Sequence, residues 1–180
     1  MMTGHPQEHV ILGILIKKEK HGYEIHHHFS SGLGRVWYTG ISQVYALLKR
    51  LEAAEKVIST VKMQENRPAK HIYSITSKGR EAFLQWVYSP LDRIRDLRLE
   101  FLAKIFFIQE LNLSGIDELI SKQIHVFQEQ LRVIKQKNEI SEDKFDHLVI
   151  QFRIGQIEAV LAWLQECEKY FREKKTCETH

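Results

Sequence analysis

The chain has 180 residues, 43% of them hydrophobic and 27% charged, enough for one globular domain or two small ones with real cores. No apolar run approaches the roughly 18 residues of a membrane span, and the N-terminus lacks the leading positive charges and small-residue cleavage site of a secretory signal, so a soluble, cytoplasmic protein is expected. Net charge is +3 but unevenly spread: residues 1 to 88 hold 12 Lys or Arg against 7 Asp or Glu, whereas residues 89 to 180 hold 14 against 16. A basic N-terminal half permits a nucleic-acid partner.

The apolar stretch 9–18, ending in lysines, predicts a first helix whose negative C-terminal end suits those cations. Gly22 restarts the chain, and GYEIHHHFS predicts a short second helix turning Tyr23, Ile25 and Phe29 inward before SSGLG ends it. The third helix lies in ISQVYALLKRLEA (41–53), with Thr39 or Gly40 as its cap. At about 100° per residue, Val44, Leu47, Leu48 and Leu51 form one buried stripe with Ile41 at its margin. The opposite side carries Ser42, Ala46, Lys49 and Ala53, flanked by Tyr45 and Arg50. A surface so small, polar and basic suits close approach to a polyanion; equally, the alanines are good helix formers that can simply face water.

The period then changes from helical to alternating. VISTVKM and HIYSIT predict a two-stranded hairpin, joined by ENRPAK, whose tip carries Arg67 and Lys70. Thr76 can cap a helix through SKGREAFLQWVY, with Phe83, Trp86 and Val87 on its apolar side. Ser89 and Pro90 punctuate the chain, because a residue before proline is biased away from helix. Beyond them three helices are expected, over 93–111, 114–137 and 142–171. In the middle one Ile116, Ile120, Ile124, Phe127, Leu131 and Ile134 recur at spacings of four and three, the pattern of a helix-helix seam. Long amphipathic helices with little else to cover them point to self-association.

Other features carry less chemistry. Cys167 and Cys177 stand ten positions apart with no second pair, which suggests neither a zinc framework nor a disulfide scaffold. His26, His27 and His28 are consecutive, and neighbours on a helix point in different directions, so no metal site is expected. GREA at 79–82 lacks the glycines and Lys-Ser/Thr pair of a phosphate loop, and no nucleophile-base or paired-carboxylate pattern stands out, so neither an enzyme nor a cofactor is expected. Trp37, Tyr38, Trp86, Phe101, Phe106, Phe107 and Trp163 either line a flat-ligand pocket between two domains or form ordinary core and interface.

Helix, helix, helix, hairpin, helix is the order of a winged helix-turn-helix, in which the third helix enters the major groove. Four ordered blocks make the reading specific: HGYEI (21–25), VYALLKRLEAAEKVI (44–58), HIYSITSKGREAFLQWV (71–87) and RIRDLRLEFLAKIFF (93–107). Through them nearly the whole chain resembles the PadR family of bacterial transcriptional regulators. The resemblance implies a mainly α (α+β) fold: a winged helix-turn-helix over 1–89 with a two-stranded wing, a helical coiled-coil-like dimerisation domain over 90–175, and a tail over 176–180.

It also implies a homodimeric repressor bound to an inverted-repeat operator and released by a small aromatic or drug-like effector. Tyr23, Ser42, Gln43, Tyr45, Lys49, Arg50, Arg67 and Lys70 are then the DNA-binding residues. Trp37, Phe101 and Trp163 fall to the effector pocket, and Ile120, Phe127, Leu131, Phe152, Leu161 and Leu164 to the dimer interface. Ala46 stands where members commonly have proline, and Lys56 where they commonly have glycine, which leaves the docking geometry open. The alternative is a winged-helix adaptor that holds a protein partner and binds DNA without sequence preference.

Overall fold

The computed structural model describes residues 5–31, 33, 38–64, 67–138 and 143–178. Helix α1 (Pro6–Leu15) opens on proline, whose missing N–H is one that a first turn leaves unpaired anyway. It begins and ends three residues earlier than the apolar pattern suggested, so Lys17 and Lys18 fall beyond it. Lys17 pairs instead with Glu110, at 2.9 Å. A two-residue strand, β1 (Lys20–His21), leads into α2 (Gly22–Ser31), and α3 (Ile41–Ala53) follows.

Helix α3 buries Val44, Leu47, Leu48 and Leu51, the stripe its spacing predicts. Gly40 takes the N-cap position, while Thr39 is buried beside it. After α3 the chain reverses through Glu55 at φ 59°, so the left-handed residue is Glu55 rather than Lys56. That conformation costs a non-glycine residue about 1 kcal/mol. The Glu55 carboxylate, 2.9 Å from Lys78 Nζ, is held well below the usual carboxylate range by that hydrogen bond and charge.

Strands β2 (Val57–Gln64) and β3 (Arg67–Ile75) pair antiparallel, with Val57 opposite Ile75, Ser59 opposite Tyr73 and Val61 opposite His71. β1 adds to the free edge of β3, Lys20 opposite Tyr73, so the expected two-stranded wing is a three-stranded sheet of order β1-β3-β2. Two residues between helices gave no periodic signal; they are strand because β3 offers them an unpaired edge.

Thr76 caps α4 (Ser77–Val87) as expected, its Oγ1 accepting from the Gly79 N–H at 3.0 Å. Gly79 lies so close to the Lys56 carbonyl that a Cβ there would overlap it. Gly79→Ala is therefore expected to cost about 1–3 kcal/mol by overpacking. The urea midpoint should fall at unchanged slope, and an unaltered midpoint would contradict the close approach.

The expected helix over 93–111 is interrupted: α5 (Ile94–Asp96), a π-helical turn at Leu97–Phe101, then α6 (Leu102–Glu110). Contacts divide the chain into one unit of residues 1–88 with 102–112 and another of residues 89–101 with 113–180. The expectation of one break near residue 89 therefore differs from the packing, because α6 joins the first unit. There Phe107 meets Phe83 edge to face at 5.5 Å, and the fully buried Lys104 places its Nζ 5.2 Å from the Trp86 ring centre. Trp86 and Phe107 are thus packed core rather than pocket lining.

In the second unit α7 (Ile116–Asn138) and α8 (Lys144–Glu178) pack along each other. Gln123, fully buried on α7, accepts from the Leu91 N–H at 2.7 Å and donates to the Leu91 carbonyl at 2.8 Å. Its polar atoms thereby escape the penalty of unpaired burial. Ile120, Phe127, Leu161 and Leu164, expected at a dimer interface, are buried in this single chain, and Leu131 is half-buried. The seam read from sequence is satisfied by α8 of the same chain. Phe152, by contrast, is 67% exposed.

Candidate nucleic-acid interface

The outward side of α3 is built from Ser42, Gln43, Tyr45, Ala46, Lys49, Arg50 and Ala53, all exposed. Helical spacing alone puts them there, opposite the buried stripe. The side chains supply hydroxyls, an amide and cations, the groups that read base edges and phosphates, and the alanines keep the surface low. Lys49 makes no ion pair with any described residue.

Beside this face lies a cavity of about 590 Å³ lined by His21, Gly22, Tyr23, Glu24, Tyr45, Lys70 and His71. It joins the start of α2, the second turn of α3 and the wing. Gly22 makes the closure possible, since a Cβ there would strike the Tyr45 ring. Glu24 caps α2 by accepting from the His21 N–H at 2.8 Å, which holds its carboxylate below the usual range. Tyr23 is 69% exposed and Tyr45 46%, the Tyr45 ring edge lying against Gly22. Burial, with Glu52 and Tyr45 nearby, raises the Tyr73 hydroxyl's pKa and keeps it protonated.

The structure brings Tyr23, Tyr45 and Lys70 around this cavity and Ser42, Gln43 and Lys49 onto the adjacent helix face. Arg50 differs from expectation in its engagement: its Nη2 lies 3.0 Å from Oε1 of Glu8, whose side chain is nearly buried. It ties α3 to α1 rather than standing free. Arg67 begins β3, but its side chain lies outside the described residues, as does Trp37. Phe101, fully buried, meets Trp163 edge to face at 6.1 Å within the second unit.

Sequence reasoning missed Gln7 and Glu8, both on α1 and both in contact with α3. Gln43 Nε2 donates to Gln7 Oε1 at 2.8 Å, and Gln7 Nε2 donates to Thr39 Oγ1 at 3.3 Å. Polar residues opening an otherwise apolar helix were the available signal, but nothing local named their partners more than thirty positions away. His21 and His71 were missed for the same reason, since pairing of β1 with β3 places them at the cavity.

Residues 11–85 match the transcriptional regulator PadR-like family model, and residues 97–172 match the model described as virulence activator alpha C-term. The negative transcriptional regulator PadR of Bacillus subtilis is 28% identical over 124 residues, 69% of this chain and 68% of that protein. The probable transcriptional regulator Rv1176c of Mycobacterium tuberculosis is 32% identical over 87 residues, 48% of this chain but only 46% of its own length.

Among solved structures, Bacillus subtilis PadR in complex with operator DNA is 23% identical, covering 92% of this chain and 99% of that one with a TM-score of 0.49. The PadR-like transcriptional regulator BC1756 from Bacillus cereus is 25% identical, covering 94% and 97% with a TM-score of 0.44. The chain belongs to the PadR-like family of transcriptional regulators.

Proposed function

We propose that this regulator is a homodimeric repressor that binds an inverted-repeat DNA operator and is released by a small aromatic or drug-like effector. The observation that carries the reading is the outward face of α3, small, polar and basic, continuous with the cavity lined by Tyr23, Tyr45 and Lys70. Ser42 and Gln43, at the N-terminal end of α3, are the base-reading residues; Lys49, Tyr23, Tyr45 and Lys70 hold phosphates, with Arg67 at the wing tip. Arg50 acts by anchoring α3 through Glu8.

The second unit supplies the dimer contact. Phe145, Leu148, Val149 and Phe152 are exposed and recur at i, i+3, i+4 and i+7, on the side of α8 away from Ile154, Ile157, Leu161 and Leu164. A helix apolar on two sides needs two partners, and α7 is one of them. A second copy of α8 is the other, and pairing by a two-fold axis matches a palindromic operator. Phe101 and Trp163 fill space against each other, so an effector seated there would have to part them.

Lys49→Ala tests the α3 reading by mobility shift on duplex DNA from the protein's own upstream region. Affinity should fall about equally for all sequences, and the slope of log K against log salt should drop by about one. A wild-type protein that binds without sequence preference, and a variant unchanged in salt slope, would favour the adaptor reading instead.

A further inference from the structure

We infer that Gln7, on α1, is a specificity-determining positioning residue: it fixes which way the Gln43 amide faces, and so which base Gln43 prefers. The inference rests on the reading of α3 as the groove-facing helix and adds a residue outside that helix.

An amide side chain is ambiguous by itself. Flipped by 180°, it exchanges an acceptor for a donor, and the pattern it offers a base edge changes with it. In this structure Gln43 takes one of the two orientations, with Gln7 as its partner. Gln43 Nε2 spends one of its two hydrogens on Gln7 Oε1 at 2.8 Å, and Gln7 in turn spends its own Nε2 on Thr39 Oγ1 at 3.3 Å. Thr39 is 2% exposed, so this short relay is rooted in the core just before α3. Gln43 is exposed at the other end, and its backbone N–H is already taken by the Gly40 carbonyl at 3.0 Å.

Thus Gln43 shows the solvent one free N–H and a carbonyl oxygen. That pair matches the N7 acceptor and N6 donor of adenine. Guanine, with acceptors at both N7 and O6, would leave the Gln43 oxygen facing another acceptor. Gln7 need not touch DNA for this. It selects the adenine-compatible orientation before binding, which avoids ordering the amide in the complex.

The test is a binding selection by the full-length protein on duplexes randomised over roughly two helical turns, followed by competition among single-base variants of the selected site. Wild type should prefer adenine at one position per half-site by about tenfold, and Gln43→Ala should remove that preference. Gln7→Ala should remove it at the same position and leave the others intact. Gln7→Glu keeps an acceptor facing Gln43 Nε2 and should retain the preference despite weaker overall binding.

Gln7→Lys presents only donors, so the Gln43 oxygen should turn to it and the two N–H groups should face the DNA, shifting the preference to guanine. A Gln7→Ala or Gln7→Lys protein that selects the wild-type site overturns the inference while leaving the α3 reading intact. Uniform loss of affinity in Gln7→Glu and Gln7→Ala alike, with every base preference unchanged, assigns Gln7 a structural role and likewise overturns it. A wild-type protein that selects no sequence defeats the α3 reading itself.

Discussion

Leu148→Glu combined with Phe152→Glu is expected to convert the protein to a monomer and to weaken operator binding by about a hundredfold or more. Both side chains are about two-thirds exposed, so in one chain the substitutions remove no buried contact and should leave the helical content unchanged. In a dimer they would place four carboxylates in the apolar contact, each desolvated and facing like charge. The loss in DNA affinity follows from geometry rather than from any altered DNA contact. Two linked winged units bind two half-sites with an effective concentration that multiplies affinity by about 10² to 10⁴, and separate units lose that factor. Sedimentation gives the mass and mobility shift the affinity. A double variant that remains dimeric would remove α8 as the interface and return the question to the seam residues.

Stability is expected to fall by about 3 kcal/mol as pH drops from 6.5 to 4, through a single side chain. His9 is buried on α1, its ring stacked on Trp86 at 5.2 Å between centres with the planes 5° apart. Its Nδ1 has no hydrogen-bond partner among the described residues. Burial, reinforced by the charges of Lys56 and Lys104, lowers its pKa from 6.5 to about 4. The unfolded chain therefore binds a proton between pH 6.5 and 4 that the folded chain refuses. Above 6.5 both states are neutral and the full stability is present; as pH falls toward 4 it is lost, at about 1.4 kcal/mol per pH unit.

His9→Phe keeps a ring against Trp86 and cannot titrate, so the difference in unfolding free energy between wild type and variant should depend on pH over that window. Carboxylates such as Glu19 and Glu55, held low by Lys62 and Lys78, titrate in both proteins and cancel. Parallel pH profiles for the two proteins would show that His9 is protonated in the fold.

Much of the N-terminal half was legible because its signals are local. The two faces of α3 follow from the order of thirteen residues, and the Thr76 cap from a hydroxyl three positions before the amide it accepts from. The hairpin followed from alternation on both sides of a turn, whereas its register came only with the folded sheet. The helical half was legible in its elements but less so in its partners. Spacing in α7 announces that an apolar seam exists, and the same seam serves equally well within a chain or between chains.

By itself, then, the sequence determined the order of the main helices and the hairpin, the buried stripe of α3 and the family to which the chain belongs. Tertiary structure alone decided that α7 spends its seam on α8, leaving Phe145, Leu148, Val149 and Phe152 as the free side. It decided that α6 packs with Phe83 and Trp86, that two residues before α2 become a strand, and that Gln7 and Glu8 hold Gln43 and Arg50. The reason is common to all four. Local sequence shows at most that a group must be covered or hydrogen-bonded; its partner stands tens of residues away, and only the folded chain selects it.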